Sequence, residues 1–226
     1  MPTARLATRA LAAATLLLAS LPALAVKPFT ADYEASYMGM QAAGRMQLAP
    51  AGEDRWRYSL DISNQIANLR QSTVFEDRGG QWRPLSGSDA NTVLVKKSEK
   101  NATYDWQRGV ATWTGDVKPE RAGPVKLRAG DLDALMIHLA LPRDVAAGKP
   151  LRYRMVEDGR VKELAYTVAG QDTVTVDGKA MRATKVVNVD GNRETTAWIV
   201  AGMPVPARIT QKRKGEVLDL QVKAVR

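Results

Sequence analysis

Apolar and polar residues alternate with a period of two over most of the chain, the pattern of half-buried β-strands. Phe29, Ala31, Tyr33, Ala35 and Tyr37 point one way, with Asp32 and Glu34 the other. Met38-Gly39-Met40 turns this strand into a second, whose inner face is Ala42, Gly44, Met46 and Leu48. Trp56, Tyr58, Leu60 and Ile62 then alternate with Arg55, Arg57, Ser59 and Asp61 in the most regular strand of the chain. A weaker strand is expected over 69–75, and further strands over 93–95, 102–106 and 110–113. Residues 82–85 read as a strand end or edge, because Pro84 cannot donate to a ladder. Residues 86–90 are polar and read as a loop, and 115–123, with Pro119, is the most loop-like tract.

One stretch breaks this period. Over 130–148, Leu132, Leu135, Met136 and Leu139 recur at i, i+3, i+4 and i+7, one face of a helix. Asp131 is the expected N-cap, Asp133 favours the positive end of the dipole, and Pro142 is expected to end the regular part. Beyond it the period of two returns as a meander: Leu151 to Met155, 161–168, Val174 and Val176, 181–187, 195–201, 207–211 and 217–225. Asp158-Gly159, Asp177-Gly178 and Asp190-Gly191 are hairpin signals between these strands. An apolar helix between two sets of strands needs a concave surface to bury it. The expected fold is therefore mainly β, a single antiparallel, strongly curved sheet or incomplete barrel wrapped around one central α-helix.

The first 25 residues belong to a different pattern. Arg5 and Arg9 form a basic region, residues 11–18 an apolar run, and Ala23-Leu24-Ala25 a small-x-small cleavage site. Residues 1–25 are thus expected to be a signal peptide, leaving 26–226 as a single exported β-rich domain in the periplasm, not an integral membrane protein. The chain has no Cys, so it forms no disulfide and offers no cleavage-site cysteine for lipid attachment. A β-rich domain of about 200 residues buries enough surface to fold without disulfides. The formal charge of +9 falls by two when Arg5 and Arg9 are removed. Dispersed Lys and Arg beside Asp and Glu read as a solvated exterior with a bias towards anionic surroundings. Export makes nucleic acid the poorest partner.

Candidate chemistry is sparse. His138 is the only histidine and flanks the buried helix stripe without an evident nucleophile or orienting partner. With one His and no Cys the usual zinc ligand sets cannot be assembled, no stretch reads as a calcium loop, and no cofactor motif is present. Ser86-Gly87-Ser88-Asp89 is not a nucleophile elbow. Asp131 and Asp133, two apart, lie on different helix faces and read as helix-start acids. Asp105, between Tyr104 and Trp106, reads as a hairpin acid satisfying turn amides. Five Trp and eight Met can either line an apolar cavity or fill a solid core. Small residues on the inner faces of the first hairpin (Ala31, Ala35, Ala42, Gly44) leave space beneath a curved sheet, with Tyr33, Met46, Trp56 and Met136 as the cavity-lining candidates.

These motifs carry a resemblance. Phe29-Thr30-Ala31-Asp32-Tyr33 and Gly44, then Phe75 and Arg83-Pro84, stand in order along the chain. Tyr104-Asp105-Trp106 with Gly109-Val110 follows, then Asp133 at a helix start, and Trp198 with Pro206-Ala207-Arg208-Ile209. Together they resemble the exported bacterial family called domain of unknown function 3108, over most of residues 28–225. Where that family often has Ser in the helix, this chain has Met136. The resemblance brings no catalytic residues with it. It implies a periplasmic β-rich fold akin to the half-barrels of lipoprotein carriers. Two function classes fit: a non-catalytic periplasmic protein holding a hydrophobic or lipid-like ligand in a half-barrel cavity, and a cell-envelope scaffold docking a protein partner with no ligand. An enzyme ranks third, for want of a nucleophile–base pair.

Overall fold

The computed structural model describes residues 26–226, so the expected signal peptide over 1–25 lies outside the described residues. The first half is a meander of β1 (Phe29–Tyr37), β2 (Met40–Gly52), β3 (Arg55–Ser63), β4 (Ala67–Arg78), β5 (Gln81–Val93), β6 (Lys96–Asp105), β7 (Val110–Gly115) and the two-residue β8 (Val125–Lys126). Helix α1 (Ala134–Ala146) follows, then the hairpin β9 (Arg152–Glu157) and β10 (Arg160–Ala165). The chain ends in β11 (Thr167–Val176), β12 (Lys179–Asp190), β13 (Arg193–Val200), β14 (Arg208–Arg213) and β15 (Glu216–Val225). Thirteen strands form one antiparallel sheet in the order β11-β12-β13-β14-β15-β1-β2-β3-β4-β5-β6-β7-β8, and β9 and β10 pair separately. The two halves join where β1 pairs with β15, so the chain ends beside its first strand.

The sheet is large and antiparallel but not closed, since β11 and β8 end it without pairing to each other. Helix α1 contacts β3 and β4 on one arm and β13 on the other. Four strands lie between β13 and β3, a span of about 24 Å at the usual strand spacing. A helix about 10 Å across reaches both arms only if the sheet bends around it. The β11 arm curls further, Asp177 N donating to Lys223 O at 3.0 Å.

The helix is buried nearly all round: Leu135, Met136, Ile137, Leu139, Ala140, Leu141, Pro142 and Asp144 are all buried. The side turned from the sheet is covered by β9, whose Tyr153 hydroxyl donates to Asp144 at 3.0 Å. Two expectations are corrected at its ends. The N-cap is Asp133, which accepts from Met136 N at 2.8 Å, while Asp131 is paired with Arg154 and accepts from Arg128 N. Pro142 sits inside the helix, which continues to Ala146. Burial on both sides holds the turn that proline would otherwise end, at the loss of one N–H bond.

Other boundaries shift for local reasons. Residues 86–90 are strand, not loop, fully paired to β4 and β6 around a bulge at Leu85. Residues 93–95 are the end of β5 and its tight turn. The run over 161–168 is two strands broken at Tyr166, whose N–H turns to Leu151 O. Asp158-Gly159 and Asp177-Gly178 occupy turns with positive φ at both residues, the type I′ arrangement. At the third signal Asp190 ends its strand and Gly191-Asn192 make the turn.

Candidate functional site

Antiparallel pairing stacks the inward residues of β4 to β7 in rows. The innermost row is apolar, with Phe75 opposite Pro84 and Tyr104 opposite Ala111. The next is Thr73, Gly87, Ala102 and Trp113, and the outermost Gln71, Asp89 and Lys100. Gly87 and Ala102 carry almost no side chain, so this arm does not fill against the helix. The result is a cleft of about 350 Å³ between these strands, the start of α1 and the β9–β10 hairpin.

The hairpin is held on the far side of the cleft by main-chain and charge contacts. Val156 N donates to Leu132 O at 2.8 Å, and the Tyr104 hydroxyl donates to Val156 O at 3.0 Å. Asp158 at the tip pairs with Arg121 at 3.0 Å and Lys100 at 3.4 Å. Gly159 has φ +66° and lies so close to the 119–123 segment that a Cβ would stand 2.2 Å from Arg121 O. Only glycine fits that seat.

Two acids face the cleft floor. Asp133 is buried and accepts from Thr73 Oγ1 at 2.5 Å and from the first amides of α1. Desolvation raises its pKa, opposed by those hydrogen bonds. Glu157, at the end of β9, is pushed up to about 7, first by desolvation and then by the charges of Asp133 and Asp89, with Lys100 opposing. Nearer the mouth stand Arg160, Arg193 and Arg213, and Lys162 paired with Asp190. The cleft is thus acidic within and basic at its rim. Among the described residues no three His, Cys, Asp or Glu side chains cluster as a metal site.

The raised Glu157 pKa has a consequence for stability. Its folded-state value lies above its ordinary 4.5, so the folded protein binds the proton more tightly. Its contribution is fully present below about pH 4.5 and is lost as pH rises to about 7. Glu157→Gln should therefore melt higher than wild type at pH 8 and close to it at pH 4.5. A wild-type advantage at pH 8 would contradict this.

The four cavity candidates lie elsewhere. Tyr33, Met46 and Met136 are buried in the main core and Trp56 packs half-buried against it. The Tyr33 hydroxyl donates to Pro206 O at 2.8 Å and that of Tyr58 to Met46 Sδ at 3.1 Å. Beneath the first hairpin Ala31, Ala35 and Gly44 are buried, and a Cβ on Gly44 would stand 3.1 Å from Tyr33 Cβ. Ala42 opens only onto a shallow surface groove beside Met40 and Ile66. His138 is partly buried on α1, its pKa lowered to about 4 by desolvation, and it does not line the cleft. Asp105 accepts from Gln107 N and Arg108 N, the turn role expected of it. Glu157, Thr73, Gly87 and Asp89 were not singled out as cleft residues by pattern alone. The two small residues in register across β5 and β6 are the signal that points to the space.

An open antiparallel sheet bent around a helix, with a polar cleft beside the helix start, defines a half-barrel architecture. The chain belongs to the family described as Protein of unknown function (DUF3108), whose model matches residues 32–220. The fold is similar to a β-barrel-like protein of domain of unknown function DUF1849 from Brucella abortus. That likeness has 12% identity and a TM-score of 0.54, and covers 88% of this chain and 97% of that one. Weaker likenesses cover the same share of this chain. One is to the MucA/MucB complex of Pseudomonas aeruginosa, with 10% identity, 51% of that chain and TM-score 0.41. Another is to a DUF1329 family protein from Desulfovibrio piger, with 8% identity, 85% of that chain and TM-score 0.23. No functionally curated protein matches.

Proposed function

We propose that the chain is a non-catalytic cell-envelope protein, exported to the periplasm by residues 1–25, that docks a basic segment of a partner protein in its cleft. The observation that carries this reading is the pair of desolvated acids, Asp133 and Glu157, on the floor of an open, polar cleft. A lysine or arginine side chain entering there adds a cation beside Glu157, where Lys100 is already shared with Asp89 and Asp158. An acyl chain gains nothing from such a lining, which is the ground for preferring a protein partner over a lipid. Asp133 is committed to capping α1 and to Thr73, which leaves Glu157 as the acid of the two that is open to a ligand.

The test is binding of short Lys- and Arg-containing peptides, set beside an acidic peptide and a fluorescent fatty acid. Basic peptides should bind more tightly as pH rises through 7, and Glu157→Gln should weaken them on the order of tenfold or more. Saturable fatty-acid binding with indifference to basic peptides would overturn the proposal. The same assay checks the first hairpin. Gly44→Leu should cost roughly 1–3 kcal/mol by overpacking against Tyr33, whereas Ala42→Phe should melt near wild type.

A further inference from the structure

The meander has two ends, and its turns differ in kind between them. At one end the turns are built from Glu53-Asp54, Gly79-Gly80, Gln107-Arg108-Gly109, Asp177-Gly178 and Ala201-Gly202, with no large apolar side chain exposed. At the other, the tips of the first three hairpins carry Met38, Met40, Ile66, Leu94 and Val95, with Leu94 70% and Val95 95% exposed. These tips adjoin one another. Leu94 N donates to Ile66 O at 2.7 Å and Asn64 Nδ2 to Gln41 O at 3.4 Å. Strand spacing sets the three tips about 10 Å apart along one rim. Exposed Lys96 and Lys97 follow the third tip directly. Exposed Arg213 at the end of β14 and Lys214 in the turn after it lie beside the first, where the Tyr37 hydroxyl donates to Glu216 at 2.7 Å.

We propose that this rim docks the protein on the surface of a lipid bilayer bearing anionic headgroups. The apolar side chains project from separate convex turns, with only a shallow groove between Met40 and Ile66. Projecting aliphatic and Met side chains flanked by Lys and Arg suit the boundary between headgroups and acyl chains. Local folding does not ask for them. Leu94 has φ +53° in a two-residue turn, a conformation that costs a bulky residue and suits glycine. Docking goes beyond the cleft reading and stands without it, but Arg193 and Arg213 at the cleft mouth belong to the same end, so the mouth faces the lipid.

The experiment is vesicle flotation with protein recovered after export, its mass confirming that residues 1–25 contribute nothing. Wild type should float with mixed phosphatidylcholine–phosphatidylglycerol vesicles, less with phosphatidylcholine alone, and less at high salt. Leu94→Asp with Val95→Asp should lose at least ~10-fold in partitioning without a change in Tm. Leu94→Gly should weaken partitioning while Tm holds or rises, which a purely structural role would not give. Lys96→Glu with Lys97→Glu should lose on the order of 10-fold on the anionic vesicles and little on the neutral ones. Wild type that floats with neither vesicle, or a double aspartate variant that floats as wild type does, overturns the proposal. So does a dimer in light scattering that the aspartates dissolve, which would make a second copy the occupant.

Discussion

Met136→Asp should leave no folded protein, and Met136→Ala should cost about 2–5 kcal/mol. Met136 is fully buried at the centre of a cluster that draws on both arms of the sheet. A carboxylate there would be buried in a mainly apolar cluster, and an unpaired buried charge costs more than a typical domain can spare. The alanine variant keeps the helix but leaves a cavity in the element that touches β3, β4, β9 and β13 together. Urea unfolding of both variants, followed by circular dichroism, checks the pair. Wild-type midpoints would show that the two arms hold each other without the helix.

The second large effect is expected at the helix start. Asp133→Ala removes the N-cap of α1, worth about 0.5–2 kcal/mol, and leaves the buried Thr73 hydroxyl without its acceptor at about 1–3 kcal/mol more. A total of about 1.5–5 kcal/mol is expected by thermal melting. Asp133→Asn keeps one acceptor oxygen for Met136 N and turns its Nδ2 towards Thr73 Oγ1 as a donor, so it should cost less than the alanine. Both changes remove the charge that helps hold Glu157 up, so the Glu157 pKa should fall in each. A destabilised variant whose Glu157 titrates as in wild type would separate the cap from the acid pair and contradict the site as described.

The strands around the core are legible in the chain because one face meets apolar neighbours and the other water. Phe29 to Tyr37 and Trp56 to Ile62 alternate for that reason, and both are strands with those faces inward. Residues 86–90 fail the same test although they are fully paired. Their inward face meets the polar cleft, so burial imposes no apolar alternation on Gly87 and Asp89. The helix was legible by its stripe but not by its limits. The hairpin β9–β10 covers its second face, an arrangement set by Tyr153 and Asp144, nine positions apart, and by no local periodicity. The cleft was less legible still. Thr73, Gly87, Ala102 and Trp113 meet only through three successive ladders, and Glu157 joins them from beyond the helix. Each of these residues has an ordinary local role, and what makes them a site is register.

Observing the Glu157 carboxyl by carbon NMR tests the proposed function most directly. In the free protein it should titrate near 7. With a Lys-containing peptide bound, the added cation should draw that value down, because a ligand that prefers the charged acid must lower its pKa. A Glu157 titration that stays unchanged at saturating peptide, or that moves only when a fatty acid is added, would contradict a cleft built for a basic segment.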